Sequence, residues 1–344
     1  MSALDLDLIN LTRLVPWLEQ ALPDFRPPVE VAKIAGGQSN PTFRLITPNK
    51  SWVLRRKPAG VLLKSAHAVD REFRVQRALV DTAVPVAPVH VYCADDSVIG
   101  SPFYVMDFLD GCTYDDPSLP NLSYDERARI MDEMNRVLAD IHNVDLNQVG
   151  LDDYGPAGNY YQRQADRWTK QYRATETDPI PDMDDLIVWL AHNLPADDGQ
   201  RTFVHGDYHL DNLMFGRDNG QCLAVLDWES STTGHPYADL AAVIMQWAMP
   251  ADTDGRGLRG IDRTAMGLMS DQDFIDRYCA RRNIAGIDRF GFYIAFCFFR
   301  MAAILQGVKK RALDGNASDP SRGLRLGAYV PEMAKLGLAA AKGV

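Results

Sequence analysis

The chain reads as an α+β protein of two lobes, a small antiparallel sheet with one helix followed by a mainly helical region. Three observations carry that reading. Between about Val29 and Val105, short alternating apolar runs are separated by turn residues, with one helical stretch among them. From Gly111 onward, apolar residues recur at three- and four-residue spacing, the period of helices buried on one face. A polar segment, Val204-His205-Gly206-Asp207-Tyr208-His209-Leu210-Asp211-Asn212, then interrupts the helices and is followed by a hydrophobic strand, Ala224-Val225-Leu226, ending in Asp227. The expected divisions are an N-terminal helix over 1–24, a sheet lobe over 25–107 and a helical lobe over 108–344.

In order, Met1 to Leu22 reads as an amphipathic helix with Leu8, Leu11, Val15 and Leu18 on one face. It carries Asp5, Asp7 and Glu19 and no basic start, which argues against a secretion signal. Val31–Ile34, Thr42–Ile46 and Trp52–Arg55 are three strands, joined through Gly36-Gly37 and a Pro48-Asn49 turn. A helix with Phe73, Gln76, Arg77 and Leu79-Val80 at helical spacing follows, stopped by Pro85 and Pro88. Val89–Cys93 and Phe103–Phe108 supply two more strands, so the helix is inserted after the third of five.

Beyond Gly111, Ser123-Tyr124-Asp125-Glu126 has the form of a capping box, in which Ser and the Glu three residues on satisfy each other's backbone donors. Ile130, Met134, Val137, Leu138 and Ile141 continue it as one buried stripe. Tyr160–Arg173 and Met183–Leu194 are two further helices, and Pro250–Arg263, rich in Gly and Asp, reads as an exposed loop. The most apolar stretch, Phe290–Leu305, is broken by Arg300 and reads as too short to span a bilayer, hence a buried helix.

At 344 residues the chain is long enough for two cores, and 46% hydrophobic with 24% charged residues is a globular composition. The net charge of −10 argues against nucleic acid as a partner, since no basic tract can neutralise a phosphate backbone. The five cysteines are scattered and form no CxxC pair, which suits free thiols in a reducing cytoplasm better than disulfides or zinc.

The polar segment carries the chemistry. Phosphoryl transfer needs a carboxylate to orient a hydroxyl and accept its proton, and oxygen ligands for magnesium on the phosphates. Asp207 suits the first task, and Asn212 with Asp227 the second. These motifs, HGDYHLDN and VLDWE, resemble those of the aminoglycoside phosphotransferase and choline kinase superfamily, small-molecule kinases with a protein-kinase-like bilobal fold. Gly206 stands where protein kinases carry Arg, Asp227-Trp228-Glu229 replaces DFG, and no APE follows. A phosphorylation-switched activation loop is therefore not expected, and a small-molecule acceptor is.

The resemblance implies further roles. Gly37, Gln38, Ser39 and Asn40, in GGQSN, fall where a hairpin covers the ATP phosphates. Arg55 takes the place of the phosphate-contacting lysine, with Lys57 on the same face of the strand as an alternative, and Glu72 is its carboxylate partner. Backbone groups around Met106 and Phe108 would read the adenine edge. His205 braces the catalytic loop, His209 stands outside the chemistry, and Asp239 anchors the loop from the start of a helix. Glu229 is a candidate for a contact to substrate or to a metal ligand. His235 falls where relatives often carry Asp.

Segments GGQSNPTFRL, WVLRRKPAG, REFRVQRAL, SPFYVMDFLDG and HGDYHLDNLMF resemble most the kinase-like domains found alone in bacteria or fused ahead of acyl-CoA dehydrogenase modules. That resemblance implies a hydroxyacyl-CoA acceptor. Arg163, Arg167 and Lys170, at i, i+4 and i+7 of one helix, form a basic stripe suited to the anionic part of CoA, or equally a solvated charged face. Asp252, Asp254 and Asp262 leave a cationic acceptor, an aminoglycoside or choline, open. A nucleotide-binding scaffold without catalysis is the remaining alternative, and the oligomeric state is not legible.

Overall fold

The computed structural model describes residues 9–34, 40–58, 68–251, 257–317 and 319–343. By internal contacts the chain groups into two compact units. One holds Met1–Tyr114, Asn147–Leu151 and Leu210–Ser231; the other holds Asp115–Leu146, Asp152–His209 and Thr232–Val344.

The first unit begins with helix α1, Leu11–Ala21, capped by the Asn10 side chain on the Arg13 amide. Five antiparallel strands follow: β1 Glu30–Lys33, β2 Thr42–Ile46, β3 Ser51–Arg56, β4 Val89–Cys93 and β5 Phe103–Asp107, in the spatial order β1-β2-β3-β5-β4. Helix α2, Val69–Leu79, is inserted after β3, and a short α3, Asp96–Ile99, lies between β4 and β5. The alternation read from the sequence has a structural meaning here. Phe43, Leu45, Trp52, Leu54, Phe103 and Val105 form one core with Leu14, Leu18, Leu22 and Phe25 around α1. Their neighbours Val53, Arg55, Tyr104 and Met106 face the other way, into a cavity.

Some expectations on this unit need correction. On α1 Leu14 and Leu18 are buried and Val15 packs partly buried against the same core, whereas Leu11 is 37% exposed; Leu8 and the residues before it lie outside the described residues. Helix α2 ends at Leu79, where the Thr82 amide and hydroxyl both bond the Leu79 carbonyl, well short of Pro85.

The second unit is mainly helical. Its helices are α4 Tyr124–Asn143, α5 Tyr160–Thr175, α6 Pro181–His192, α7 Tyr237–Ala248, a short α8 Arg263–Met266, α9 Asp271–Arg281, α10 Phe290–Leu313, α11 Pro320–Gly327 and α12 Val330–Ala341. The capping box is present: the Glu126 amide bonds Ser123 Oγ at 3.4 Å, and the Ser123 amide bonds the Glu126 carboxylate at 2.7 Å. Helix α10 runs 24 residues, longer than the apolar stretch suggested, so by length and composition it passes for a membrane span. Of its most apolar window, 61% is buried against the protein, as expected of the central helix of a core.

Short strands frame the polar segment; the one before Asp227 is expected from its apolar run, and the other three are not revealed by periodicity. In the second unit β6, Thr202–Val204, pairs with β9, Thr232–Gly234. In the first, β7, Leu213–Phe215, forms a hairpin with β8, Cys222–Val225. At three or four residues each, these strands are too short for an alternation to register.

Candidate functional site

Arg55 is the hub of the first unit. β3 presents it beside α2, where its Nε lies 2.7 Å from Glu72 Oε2. Its Nη2 reaches Asp227 Oδ1 at 2.9 Å. Lys57 lies past the end of β3, its amide bonded to the Pro102 carbonyl. Glu72 is 1% exposed, so it is no solvated helix charge. It also accepts from Tyr104 Oη at 3.1 Å and Asn40 Nδ2 at 2.7 Å, while Gln76 bonds Tyr104. Burial raises the Glu72 carboxyl above its ordinary range, with Arg55 opposing. Burial likewise works against the Arg55 charge, and the surrounding Glu72, Tyr104 and Asp227 outweigh it, leaving the guanidinium more basic than usual.

Asp227 follows β8 in the left-handed region, at φ 61°, a conformation Asp tolerates better than most residues with a Cβ. Glu229 sits in the 3-10 turn that follows, Trp228–Ser230. Acceptor oxygens of Glu72, Asp227 and Glu229 lie within 4.8 Å of one another, and Glu229 Oε2 is buried with no hydrogen-bond partner among the described residues. The Arg55 guanidinium pairs with two of these three carboxylates, Glu72 and Asp227. The surplus of negative oxygen suits a hard divalent cation.

Arg55, Glu72 and Asp227 line a cavity of about 430 Å³, within the range of small-ligand sites. Its walls include Ile34, Val53, Ala87, Met106, Ala224 and Leu226, apolar faces between which a flat ring can lie; Phe108, Asp211 and Asn212 complete it. The Phe108 ring carries the Arg44 guanidinium 3.8 Å from its centroid. Gly37, Gln38 and Ser39 lie outside the described residues. Asn40 is described, and its side chain is fully buried and turned to Glu72.

In the second unit, the loop after β6 carries Asp207, whose side chain is 49% exposed. Its frame is Asp239, 1% exposed at the start of α7, which accepts from the His205 amide at 2.7 Å and the Gly206 amide at 2.8 Å. Gly206 has φ 83°, which explains glycine at this position. Arg300 donates to the Gly206 carbonyl at 2.9 Å, and Tyr208 Oη to the Met134 carbonyl at 2.7 Å. His205 is buried, with Nδ1 3.3 Å from the Asp207 amide. His209, 4% exposed, places Nε2 3.2 Å from Asp207 Oδ2. Sequence reasoning sets His209 aside and gives Arg300 no part in this loop; the structure brings both to it.

His142 carries no sequence signal either. It bonds Asp239 Oδ2 through Nε2 at 3.3 Å and Tyr278 Oη through Nδ1 at 2.6 Å. A neutral ring donating to Asp239 and accepting from Tyr278 satisfies all three groups. Burial lowers the His142 pKa, opposed by Asp239, and burial also lowers that of His235. Burial works against the Asp239 charge too, but bonds from His142 and the Gly206 amide hold its carboxyl below the ordinary range.

A pH dependence of stability follows. A folded-state imidazole pKa below the unfolded value of about 6.5 leaves full stability above that pH, with loss as pH falls towards the folded values. Each such group costs at most about 1.4 kcal/mol per pH unit in that window. Urea midpoints should be level between pH 7 and 8 and decline from pH 6.5 to 5.5. His142→Gln, which keeps a donor and an acceptor without titrating, should flatten the decline; an equal slope in the variant would refute the assignment.

The basic stripe on α5 is less uniform than its spacing suggests. Arg163 donates to the Pro156, Ala157 and Gly158 carbonyls, fastening the loop before its own helix. Arg167 is exposed, 5.3 Å from the Trp168 ring centroid, and exposed Lys170 edges a separate cavity of about 320 Å³ with Asp166 and Phe299. Asp252 and Asp254 lie outside the described residues, and Asp262 caps α8 by accepting from the Ala265 amide. All five cysteines are free thiols.

Comparison with known proteins agrees with this architecture. Residues 30–271 match the phosphotransferase enzyme family. Acyl-CoA dehydrogenase family member 10 of Mus musculus is 48% identical over 292 residues, 85% of this chain. The chain spans 27% of that protein's length and 43% of another curated relative's. A crystal structure from Ralstonia eutropha, provisionally named an aminoglycoside phosphotransferase, is 44% identical with a TM-score of 0.90, covering 97% of this chain and 98% of that one. A thermostable mutant of aminoglycoside phosphotransferase APH(4)-Ia, in ternary complex with AMP-PNP and hygromycin B, shares the fold at 16% identity and a TM-score of 0.61, covering 97% of this chain and 100% of that one.

Proposed function

The chain belongs to the phosphotransferase enzyme family, and from that premise we propose that it moves a phosphoryl group from magnesium-ATP to the hydroxyl of a small molecule, a hydroxyacyl-CoA. The observation that carries the reading is the Glu72–Arg55–Asp227 chain lining an apolar cavity of about 430 Å³. In this reading the apolar walls hold the base, and Arg55 offers fixed donors to phosphate oxygens. Asn212 and Asp227 hold magnesium, with Glu229 beside them; when bound, the ion draws charge from the phosphate oxygens. Asp207 orients the acceptor hydroxyl and takes its proton, and His209 holds the Asp207 carboxylate in place.

Two considerations support a CoA ester. Relatives at 48% and 41% identity bear acyl-CoA dehydrogenase names, and Arg167 and Lys170 present exposed cations on one helix. A competing reading, an aminoglycoside acceptor, draws on the name given to the Ralstonia protein. The test is phosphate transfer measured side by side with a 4-hydroxyacyl-CoA, the free hydroxy acid, choline and an aminoglycoside. The CoA ester should win, and Arg167→Ala with Lys170→Ala should raise its KM while leaving that for ATP alone. Preference for choline or the aminoglycoside would refute the acceptor. Tight ATP binding with no turnover on any hydroxyl compound would favour a scaffold.

A further inference from the structure

Within the GGQSN segment, Asn40 has a side chain that the structure describes, and it does not face a ligand. It is fully buried, and Nδ2 donates to Glu72 Oε1 at 2.7 Å. Its carbonyl accepts from Thr42 Oγ1 at 3.0 Å, which ties it to the first residue of β2. Its own Oδ1 is buried and finds no hydrogen-bond partner among the described residues. A carboxylate, as Glu72 is when paired with Arg55, only accepts, so the amide nitrogen must be the atom turned to it and Oδ1 must point away. A buried orphan acceptor is a standing cost, tolerated where the donor on the same group is needed. The other Glu72 oxygen lies 2.7 Å from Arg55 Nε in an ion pair and accepts from Tyr104 Oη at 3.1 Å. Both carboxylate oxygens are therefore held, and the plane in which Arg55 meets them is set.

We propose that Asn40 is a positioning residue for phosphoryl transfer: it fixes the Glu72 carboxylate that orients Arg55, and does so without touching the nucleotide. The inference rests on the phosphotransferase reading above. Without Asn40, Glu72 Oε1 would lose its shortest contact and the carboxylate could turn about its side chain, carrying Arg55 off Asp227.

The test is a residue swap. Asn40→Ala should raise the KM for magnesium-ATP about tenfold, the size expected for one lost bond to a charged group, and leave the acceptor KM unchanged. Asn40→Asp sets a second buried carboxylate against Glu72 and should be the worse, about a hundredfold in kcat/KM for ATP. The double variant Asn40→Asp with Glu72→Gln restores a donor facing an acceptor and the total charge. It should recover at least about tenfold over Asn40→Asp, an interaction that a double-mutant cycle isolates. Thermal unfolding and AMP-PNP titration of each variant separate fold from function. A swap that recovers nothing, or Asn40 variants with lowered Tm and unaltered ATP kinetics, would overturn the proposal while the phosphotransferase reading stands. A wild-type protein that fails to bind magnesium-ATP would overturn both.

Discussion

Asp207→Asn should lower the turnover of phosphoryl transfer by about 10³-fold and leave the dissociation constant for magnesium-ATP within about twofold of wild type, as befits loss of a proton acceptor. The substitution is nearly isosteric, and other groups hold the backbone of the loop around it. The His205 and Gly206 amides are held by Asp239, the Gly206 carbonyl by Arg300, and Tyr208 by Met134. What changes is a 49% exposed carboxylate that becomes an amide unable to take a proton. Steady-state transfer paired with AMP-PNP titration measures both quantities. A loss of less than about tenfold would remove Asp207 from the role of base.

Asp227→Ala should weaken magnesium-ATP binding by about a hundredfold or more and abolish measurable transfer, because it strikes binding and chemistry together. One of the three clustered carboxylates disappears, and Arg55 loses its 2.9 Å partner and can follow Glu72 alone. The backbone needs its own control. At φ 61° an alanine is strained by about 1–2 kcal/mol, whereas asparagine adopts that region readily. Asp227→Asn should therefore unfold near the wild-type temperature while its magnesium requirement rises as steeply as in the alanine variant. An asparagine variant with wild-type magnesium dependence would show that the cation is held elsewhere.

The order of the sheet lobe, the capping box and the HGDxxxxN segment were legible because each is a local pattern. Alternation at a period of two reports which side of a strand is buried, and Ser123 with Glu126 needs only the first turn of its own helix. Element ends were read unevenly. The helical spacing ending at Leu79-Val80 agrees with the end of α2 at Leu79, whereas α10 continues to Leu313, past the end of its most apolar run. Arg163 belonged by spacing to a basic stripe, yet its guanidinium serves the turn of chain at residues 156–158.

By itself, then, the sequence determined which carboxylates, amides and guanidinium stand in the motifs of the phosphotransferase family and on which local elements they sit. The family resemblance implied Glu72 for Arg55 and Asp239 for the loop; tertiary structure alone decided the other partners. Arg55 meets Asp227 across 172 residues, and His142, Asp239 and Tyr278 form one chain from three helices. Periodicity carries no record of such pairs, since a buried polar residue leaves the same gap in an apolar pattern whatever it bonds. Only packing brings the donor and the acceptor to the distance at which burial makes their bond matter.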